Sequence, residues 1–246
     1  MRLACLMAGL SSRLLPLTEK RHKACLPVGA RRMIDYQLSA FDAAGIDKRT
    51  FVVGHGASEL VQVLLVSQPH RGFELCYNPD FSARNLDWSA FCALGQQPGP
   101  VLYYEGDLLI PPSLLRDMAR NTAEICIALD STSRNPTMDT LVLAPNGKIE
   151  RLLFIEHGTA ERRQGDGALG EFICLVKLGE AARQFVVAEL EKQPFQGAMQ
   201  LYTIFERAFA RFTTSWVDAA GRPWVEVDNA ADLARAARLA EEVARA

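Results

Sequence analysis

The chain has 246 residues, of which 49% are hydrophobic and 23% charged, with 27 Lys and Arg against 29 Asp and Glu for a formal charge of −2. A chain of this length buries about 70% of its unfolded surface without needing disulfides or metals to make a core, and its composition excludes disordered, coiled-coil and collagenous classes. The near-neutral balance provides no broad positive field for a polyanionic duplex, so no nucleic-acid partner is expected and an enzyme or small-ligand domain is favoured.

The N-terminal apolar run ends at Gly9, too short for a signal segment or a membrane span, and reads as a buried strand over Leu3 to Met7. A helix follows, with Ile34, Leu38 and Phe41 at i, i+4 and i+7, and then a strand over Phe51 to Val53. Ser58 to Val66 is a second helix, with Leu60, Val63 and Leu64 on one face, and Phe73 to Tyr77 a third strand. After the loop NPDFSARN come a helix from Asp87 to Leu94, a strand at 101 to 104, a helix around Leu114, Leu115 and Met118, and a strand at 124 to 129. Short strands that are apolar throughout belong in a parallel sheet covered on both faces. The second half departs from this rhythm. Asn146-Gly147 between β-prone runs signals a hairpin over 141 to 154. The polar, glycine-rich stretch at 157 to 170 reads as a mobile loop. A strand at 171 to 178 and helices around 179 to 192 and 199 to 210 follow. The last helix is capped by Asn229 with Asp232 at N3, and its stripe of Leu233, Ala236, Ala240 and Val243 reads as core. The fold expected is α/β, a three-layer, Rossmann-like, mostly parallel sheet with flanking helices and an inserted β-hairpin region. One domain is expected over residues 1–246, with 1–130 and 131–246 as its two halves. Six cysteines without a CxxC pair suit reduced core thiols, and a cytoplasmic location is expected.

Three features could carry chemistry. Strand one opens into AGLSSRLLPLTEKRHKACLPV, where Gly9 allows close backbone approach and Arg13, Lys20, Arg21 and Lys23 supply positive charge. This is either a phosphate cradle or a solvated basic loop, and it matches neither the Walker nor the dinucleotide fingerprint. Asp107 follows the strand at 101 to 104 behind Glu105 and Gly106, which places a carboxylate at a strand's carboxyl end beside a glycine that leaves room for a ligand. The other role for Asp107 is capping the next helix. Glu226 and Asp228, separated by Val227, point the same way in extended chain and call for a cation, unless Asp228 is itself a cap.

The run MAGLSSRLLPLTEKRHKACLPVGARRMIDYQL resembles the signature of the nucleotidyltransferases that make NDP-activated metabolites, and the likeness extends through YNPDFSARNLDWS, EGDLLI and VEVDNAADLARA. Within that family the chain is most similar to small cytidylyltransferases acting on phosphocholine or 2-aminoethylphosphonate. The resemblance implies a nucleotide site at Ala8, Gly9, Ser11, Ser12, Arg13 and Lys23, with Arg13 and Lys23 on the phosphates, and Mg²⁺ on Asp107 and Asp228. It implies CTP and a small phosphorylated or phosphonate acceptor as partners, with attack of the acceptor oxygen on the α-phosphorus and release of pyrophosphate. Asn85, Ser89, Glu171 and Glu226 are the acceptor-side candidates. Two departures stand out: Ser11 replaces the family's second glycine, and His22 stands where a proline usually precedes the lysine. No acceptor lysine can be assigned; Phe154, Ile155, Glu156 and His157 occupy that region, with Lys148, Arg151, Arg162 and Arg163 the nearest basic residues. A sugar-1-phosphate nucleotidyltransferase and a non-catalytic regulatory relative are the alternatives. A homodimer would form through the helix Met33 to Ala44 or the hairpin at 141 to 154.

Overall fold

A computed structural model describes residues 1–70, 72–82, 86–95, 98–133, 140–154, 167–192 and 198–246. The central strand β1 (Arg2–Met7) is buried along its whole length because it has parallel neighbours on both sides, β4 (Lys48–Val53) and β6 (Val101–Glu105). Strand β5 (Glu74–Tyr77) extends the parallel set beyond β4. Among them, a short hairpin of β2 (Pro27–Val28) and β3 (Arg31–Arg32) leads into helix α1 (Met33–Ala43), which buries Ile34, Leu38 and Phe41 at the expected spacing. Helix α2 (Ala57–Ser67) connects β4 to β5, and α3 (Leu86–Gly95) connects β5 to β6.

Beyond β6 the sheet changes direction. Strand β7 (Leu108–Leu109) and helix α4 (Pro112–Arg120) precede β8 (Ile125–Asp130), and the hairpin β9 (Thr140–Leu143) and β10 (Arg151–Phe154) follows. Strand β11 (Ala168–Leu178) runs antiparallel to β6, β8 and β9, so the nine-stranded sheet among the described residues is mixed: parallel through β6-β1-β4-β5 and antiparallel around β11. A bulge between Phe172 and Val176, where Cys174 has φ 36°, bends β11 between its partners. Helices α5 (Glu180–Glu191) and α6 (Ala198–Arg211), strand β12 (Thr214–Asp218), strand β13 (Val225–Glu226) and helix α7 (Ala230–Arg245) complete the chain. The helices flank the sheet in two groups, α1 with α4 and α7, and α3 with α5 and α6.

Three elements differ from the sequence reading. The loop expected at 157 to 170 lies largely outside the described residues, but 168 to 170 begin β11 instead of ending a loop. The hairpin forms with a longer connection than Asn146-Gly147 implies, since β9 ends at Leu143 and β10 begins at Arg151. Strand β12 carries no apolar run because it is a half-exposed edge, paired in parallel with β8 alone. Among the described residues no helix is long and apolar enough to cross a membrane.

A second, smaller core positions the site. Ala236, Ala240 and Val243 of α7, with Leu233 beside them, pack on Leu14, Leu26 and Val28 of the segment after β1, and on Leu109, Val225 and Val227. The C-terminal helix therefore clamps the loop that leaves strand one. Each Leu and Val of this cluster contributes roughly 1.5–3 kcal/mol when fully buried.

Candidate active site

The carboxyl ends of β1 and β6 are joined tightly. Gly106 donates its N–H to Leu6 O (2.9 Å), and a Cβ there would lie 2.5 Å from Met7 Cγ and 2.6 Å from Leu6 O. The glycine thus makes room for strand β1, and it also lines the cleft beside Asp107. Asp107 follows in the turn to β7, and helix α4 starts only at Pro112, so Asp107 is not its cap. Strand β13 pairs with β7, and Val227 N–H donates to Asp107 O (3.0 Å), which brings the far end of the chain alongside. Asn229 caps α7 by accepting from the N–H groups of Ala231 (2.8 Å) and Asp232 (3.1 Å). That leaves the Asp228 carboxylate free to face the cleft.

The segment after β1 folds back over these acids. Ser11 adopts the left-handed conformation (φ 52°, ψ 43°) and its carbonyl accepts from Leu14 N–H and Thr18 Oγ1, both at 3.0 Å. The path expected of a glycine is kept by a serine, at about 1–2 kcal/mol of backbone strain. Gly9 opens on free space, with nothing within 4 Å of where a Cβ would sit. His22 replaces proline with three bonds. Its backbone N–H donates to Glu59 Oε2 (2.6 Å), its Nδ1 accepts from Ala24 N–H (3.0 Å), and its Nε2 lies 2.7 Å from Met7 O. Nδ1 as acceptor puts the proton on Nε2, and burial holds the imidazole below its ordinary pKa, in the neutral form.

His22 thereby delivers Lys23 to the acids. Lys23 Nζ donates to Asp107 Oδ2 (3.2 Å) and Asp228 Oδ1 (3.4 Å), and an Arg13 guanidinium nitrogen lies 3.0 Å from Asp228 Oδ1. Burial disfavours the Lys23 charge, but Asp107 and Asp228 outweigh it and its pKa is raised. Burial and then Asp107 push Asp228 up, against Lys23 and Arg13. Burial, Asp107 and Asp228 push Glu226 well above the usual carboxylate range. Glu105, which accepts from Tyr103 OH (2.8 Å), is pushed up to about 8 by burial and Asp107. Carboxylate oxygens of Asp107, Glu226 and Asp228 all lie within 4.8 Å of one another, and Asp107 Oδ1 is buried with no hydrogen-bond partner. Convergent hard oxygen donors with one lone oxygen fit a divalent cation.

Arg13, His22, Lys23, Glu105, Asp107 and Asp228 line a cleft of 470 Å³. Its wall includes Ala8, Gly9, Ser11, Ser12, Arg13, Lys23, Asp107 and Asp228, together with Ser89, Asn78 and Phe81. The sequence-predicted nucleotide and metal residues are thus in one place. Ser89 accepts from Asn78 Nδ2 (3.2 Å) at the cleft wall, and Asn85 lies outside the described residues. Glu226 stands with the two aspartates, away from an independent acceptor position. Glu171 is on β11, buried, bonded to the Ser133 hydroxyl and opposite Asp130 across the strands, outside the cleft wall. Glu105 and His22 also line the cleft and were not singled out for chemistry. Glu105 was visible in EGD, whereas the role of His22 depends on contacts to β1 and α2 that no local pattern encodes.

Comparison with known proteins fits this geometry. A CMP-5'-(3-aminopropyl)phosphonate synthase from Streptomyces rubellomurinus is 30% identical over 145 residues, covering 58% of this chain and 23% of the relative, so the chain spans under a quarter of that protein's length. The inositol-1-phosphate CTP transferase from T. maritima superposes with a TM-score of 0.78 at 18% identity, covering 99% of this chain and 96% of that one. The CTP:phosphocholine cytidylyltransferase from Streptococcus pneumoniae gives 0.72 at 17% identity, covering 97% and 99%. The solved structures share the fold. The Nucleotidyl transferase family pattern matches residues 4–135, more than half of the chain and the whole span from β1 through Asp107, and the protein belongs to that family.

Proposed function

We propose that the protein is a cytidylyltransferase that moves CMP from CTP to a small acceptor bearing a phosphate or phosphonate and a primary ammonium group. The observation that carries this reading is the Lys23 ammonium seated between Asp107 and Asp228, with Arg13 on Asp228, at the mouth of a cleft ending β1 and β6. The likeness over 145 residues to a CMP-5'-(3-aminopropyl)phosphonate synthase supports cytidine as the nucleoside and an aminoalkylphosphonate as the acceptor.

In this reading the acceptor oxygen attacks the α-phosphorus and the bond to the β-phosphate oxygen breaks, so pyrophosphate leaves with the electron pair. A phosphate or phosphonate oxygen is already anionic near neutral pH, so no side chain need remove a proton; the protein aligns anions and offsets their repulsion. The backbone from Ala8 to Ser12 lies where the nucleotide would enter. Arg13, whose side chain is 61% exposed at the cleft edge, and Lys23 take the phosphates and the charge that develops on pyrophosphate. Mg²⁺, held when bound by Asp107, Glu226 and Asp228, would supply charge neutralisation to the phosphates. Glu226 is assigned to the cation, since its oxygen converges with those of the two aspartates. Residues 1–246 act as one unit, because Asp228 completes a site begun by Lys23.

A primary ammonium is favoured over a quaternary one by the cleft wall. A quaternary head needs aromatic faces, and Phe81 is the one Phe, Tyr or Trp in the described lining. Tyr103 is wholly buried, and Trp224 is committed to Asp130 through its indole N–H (2.8 Å). The wall offers the carboxylates of Glu105, Asp107 and Asp228 instead, and Ser89 in that wall and Glu171 beyond it are the acceptor-side positions. The test is pyrophosphate release from each of four NTPs with 2-aminoethylphosphonate, 3-aminopropylphosphonate, phosphocholine and glucose-1-phosphate. Release is expected with CTP and the aminoalkylphosphonates. Release with glucose-1-phosphate alone would replace this reading with the sugar one, and silence throughout would favour a regulatory relative.

A further inference from the structure

The backbone that carries Asp107 is held by a residue from a distant helix. Gln37 sits on the inner side of α1 and is 1% exposed. Its Nε2 donates to Gly106 O (2.9 Å) and Leu108 O (2.8 Å), the carbonyls on either side of Asp107. Tyr104 OH also donates to Leu108 O, and Val227 N–H takes Asp107 O (3.0 Å). Three consecutive carbonyls are therefore fixed by α1, β6 and the segment after β13, leaving Asp107 only its side-chain torsions. We propose that Gln37 is a positioning residue for Asp107, holding its carboxylate in the group formed with Glu226 and Asp228.

The amide is not explained by packing. Gln37 Oε1 is buried without a partner, a cost that methionine of similar shape would avoid. What the amide adds is a pair of donors at the spacing of the two carbonyls flanking a carboxylate. Outer groups that orient a ligand's attachment typically govern metal affinity about 10–100-fold. The loss of Gln37 should act through cation binding, not through the acceptor.

The inference rests on the reading of Asp107 as a cation ligand, and the experiment separates the two. Free Mn²⁺ is counted by electron paramagnetic resonance during titration of wild type, Asp107→Asn, Gln37→Met, Tyr104→Phe and Leu38→Ala, with unfolding midpoints measured alongside. Leu38 is a core neighbour on α1 without a bond to this turn. Gln37→Met should weaken Mn²⁺ binding about tenfold, with the Mg²⁺ concentration for half-maximal pyrophosphate release rising in parallel and the acceptor KM unchanged. Tyr104→Phe, which removes one donor and is the informative variant if Gln37→Met does not fold, should weaken it about two- to threefold. Leu38→Ala should lower the midpoint and leave Mn²⁺ affinity alone. Wild-type affinity in both Gln37→Met and Tyr104→Phe, or equal weakening in Leu38→Ala, overturns the positioning role. Coincident curves for wild type and Asp107→Asn would overturn the cation reading and this inference with it.

Discussion

Two groups of acids stand at the same end of the sheet, one half-buried and one buried, and are held differently. Asp107 and Asp228 are met by the cations Lys23 and Arg13. Asp130, which lies opposite Glu171 across β8 and β11, accepts instead from neutral donors: Thr132 N–H and Oγ1 and Trp224 Nε1, each at 2.8 Å. Glu171 accepts from the Ser133 hydroxyl. An acid held by neutral hydrogen bonds, as Asp130 is by Thr132 and Trp224, is fixed in place and keeps its charge. An acid neutralised by a long, flexible cation can exchange that partner for another cation at little structural cost. In the proposed reading the first group serves the reacting phosphates and the second, beyond the cleft wall, orients the acceptor.

The largest effect should come from breaking the first group. Asp107→Asn should lower turnover at least ~10³-fold, since it removes a charge placed where the transition state needs it, with the unfolding midpoint nearly unchanged. Asp130→Asn retains an acceptor for Trp224 and should lower kcat less than ~3-fold, because only a neutral bond is altered. Steady-state pyrophosphate release on both variants checks the pair; equal losses would erase the distinction between the groups.

Much of the first group was legible in the sequence and little of the second. Arg13, Lys23, Asp107 and Asp228 sit in local strings, AGLSSR, RHKACLPV, EGD and VEVDN, whose chemistry can be read residue by residue. What those strings cannot show is that α7 packs on Leu14 and Val28, which is why Asp228 reaches Lys23 across the length of the chain. The Asp130–Glu171 pairing depends on the register of antiparallel β11 with β8, and register is a tertiary property. His22 illustrates the same limit. It looked like a departure at a proline position, yet its N–H, which proline lacks, is used by Glu59.

Lys23→Met sharpens the comparison next. Leaving the acids together without their buried cation should destabilise the protein by about 3–5 kcal/mol, and added Mg²⁺ should restore much of that if the acids bind it. Urea denaturation with and without Mg²⁺ measures both. Recovery absent at millimolar Mg²⁺ would argue that the acids serve Lys23 alone.

Glu171→Gln probes the second group more gently. The acceptor KM for an aminoalkylphosphonate should rise about 10-fold, as for loss of one charge-assisted bond, with the KM for CTP unchanged. A rise in the CTP term instead would place Glu171 on the nucleotide side.

The smallest effect is on pH dependence. Burial holds the His22 pKa below its ordinary value of 6.5 in the folded protein, so the unfolded chain takes up the proton first as pH falls. The stability contributed by neutral His22 is therefore complete above pH 6.5 and is lost as pH drops through the folded value. Denaturation midpoints of wild type and His22→Gln from pH 8 to 5 should be separated above pH 6.5 and converge as pH falls through the folded value.

The central claim, that the acids gathered around Lys23 serve nucleotidyl transfer to a phosphonate, is tested most directly by ³¹P NMR of the wild-type protein with CTP, Mg²⁺ and 2-aminoethylphosphonate. The account predicts growth of coupled phosphate and phosphonate resonances from a new P–O–P linkage, in step with pyrophosphate, and neither signal in Asp107→Asn. Persistence of the CTP and phosphonate signals with active-looking, folded wild type, or product formation by Asp107→Asn at the wild-type rate, would contradict it.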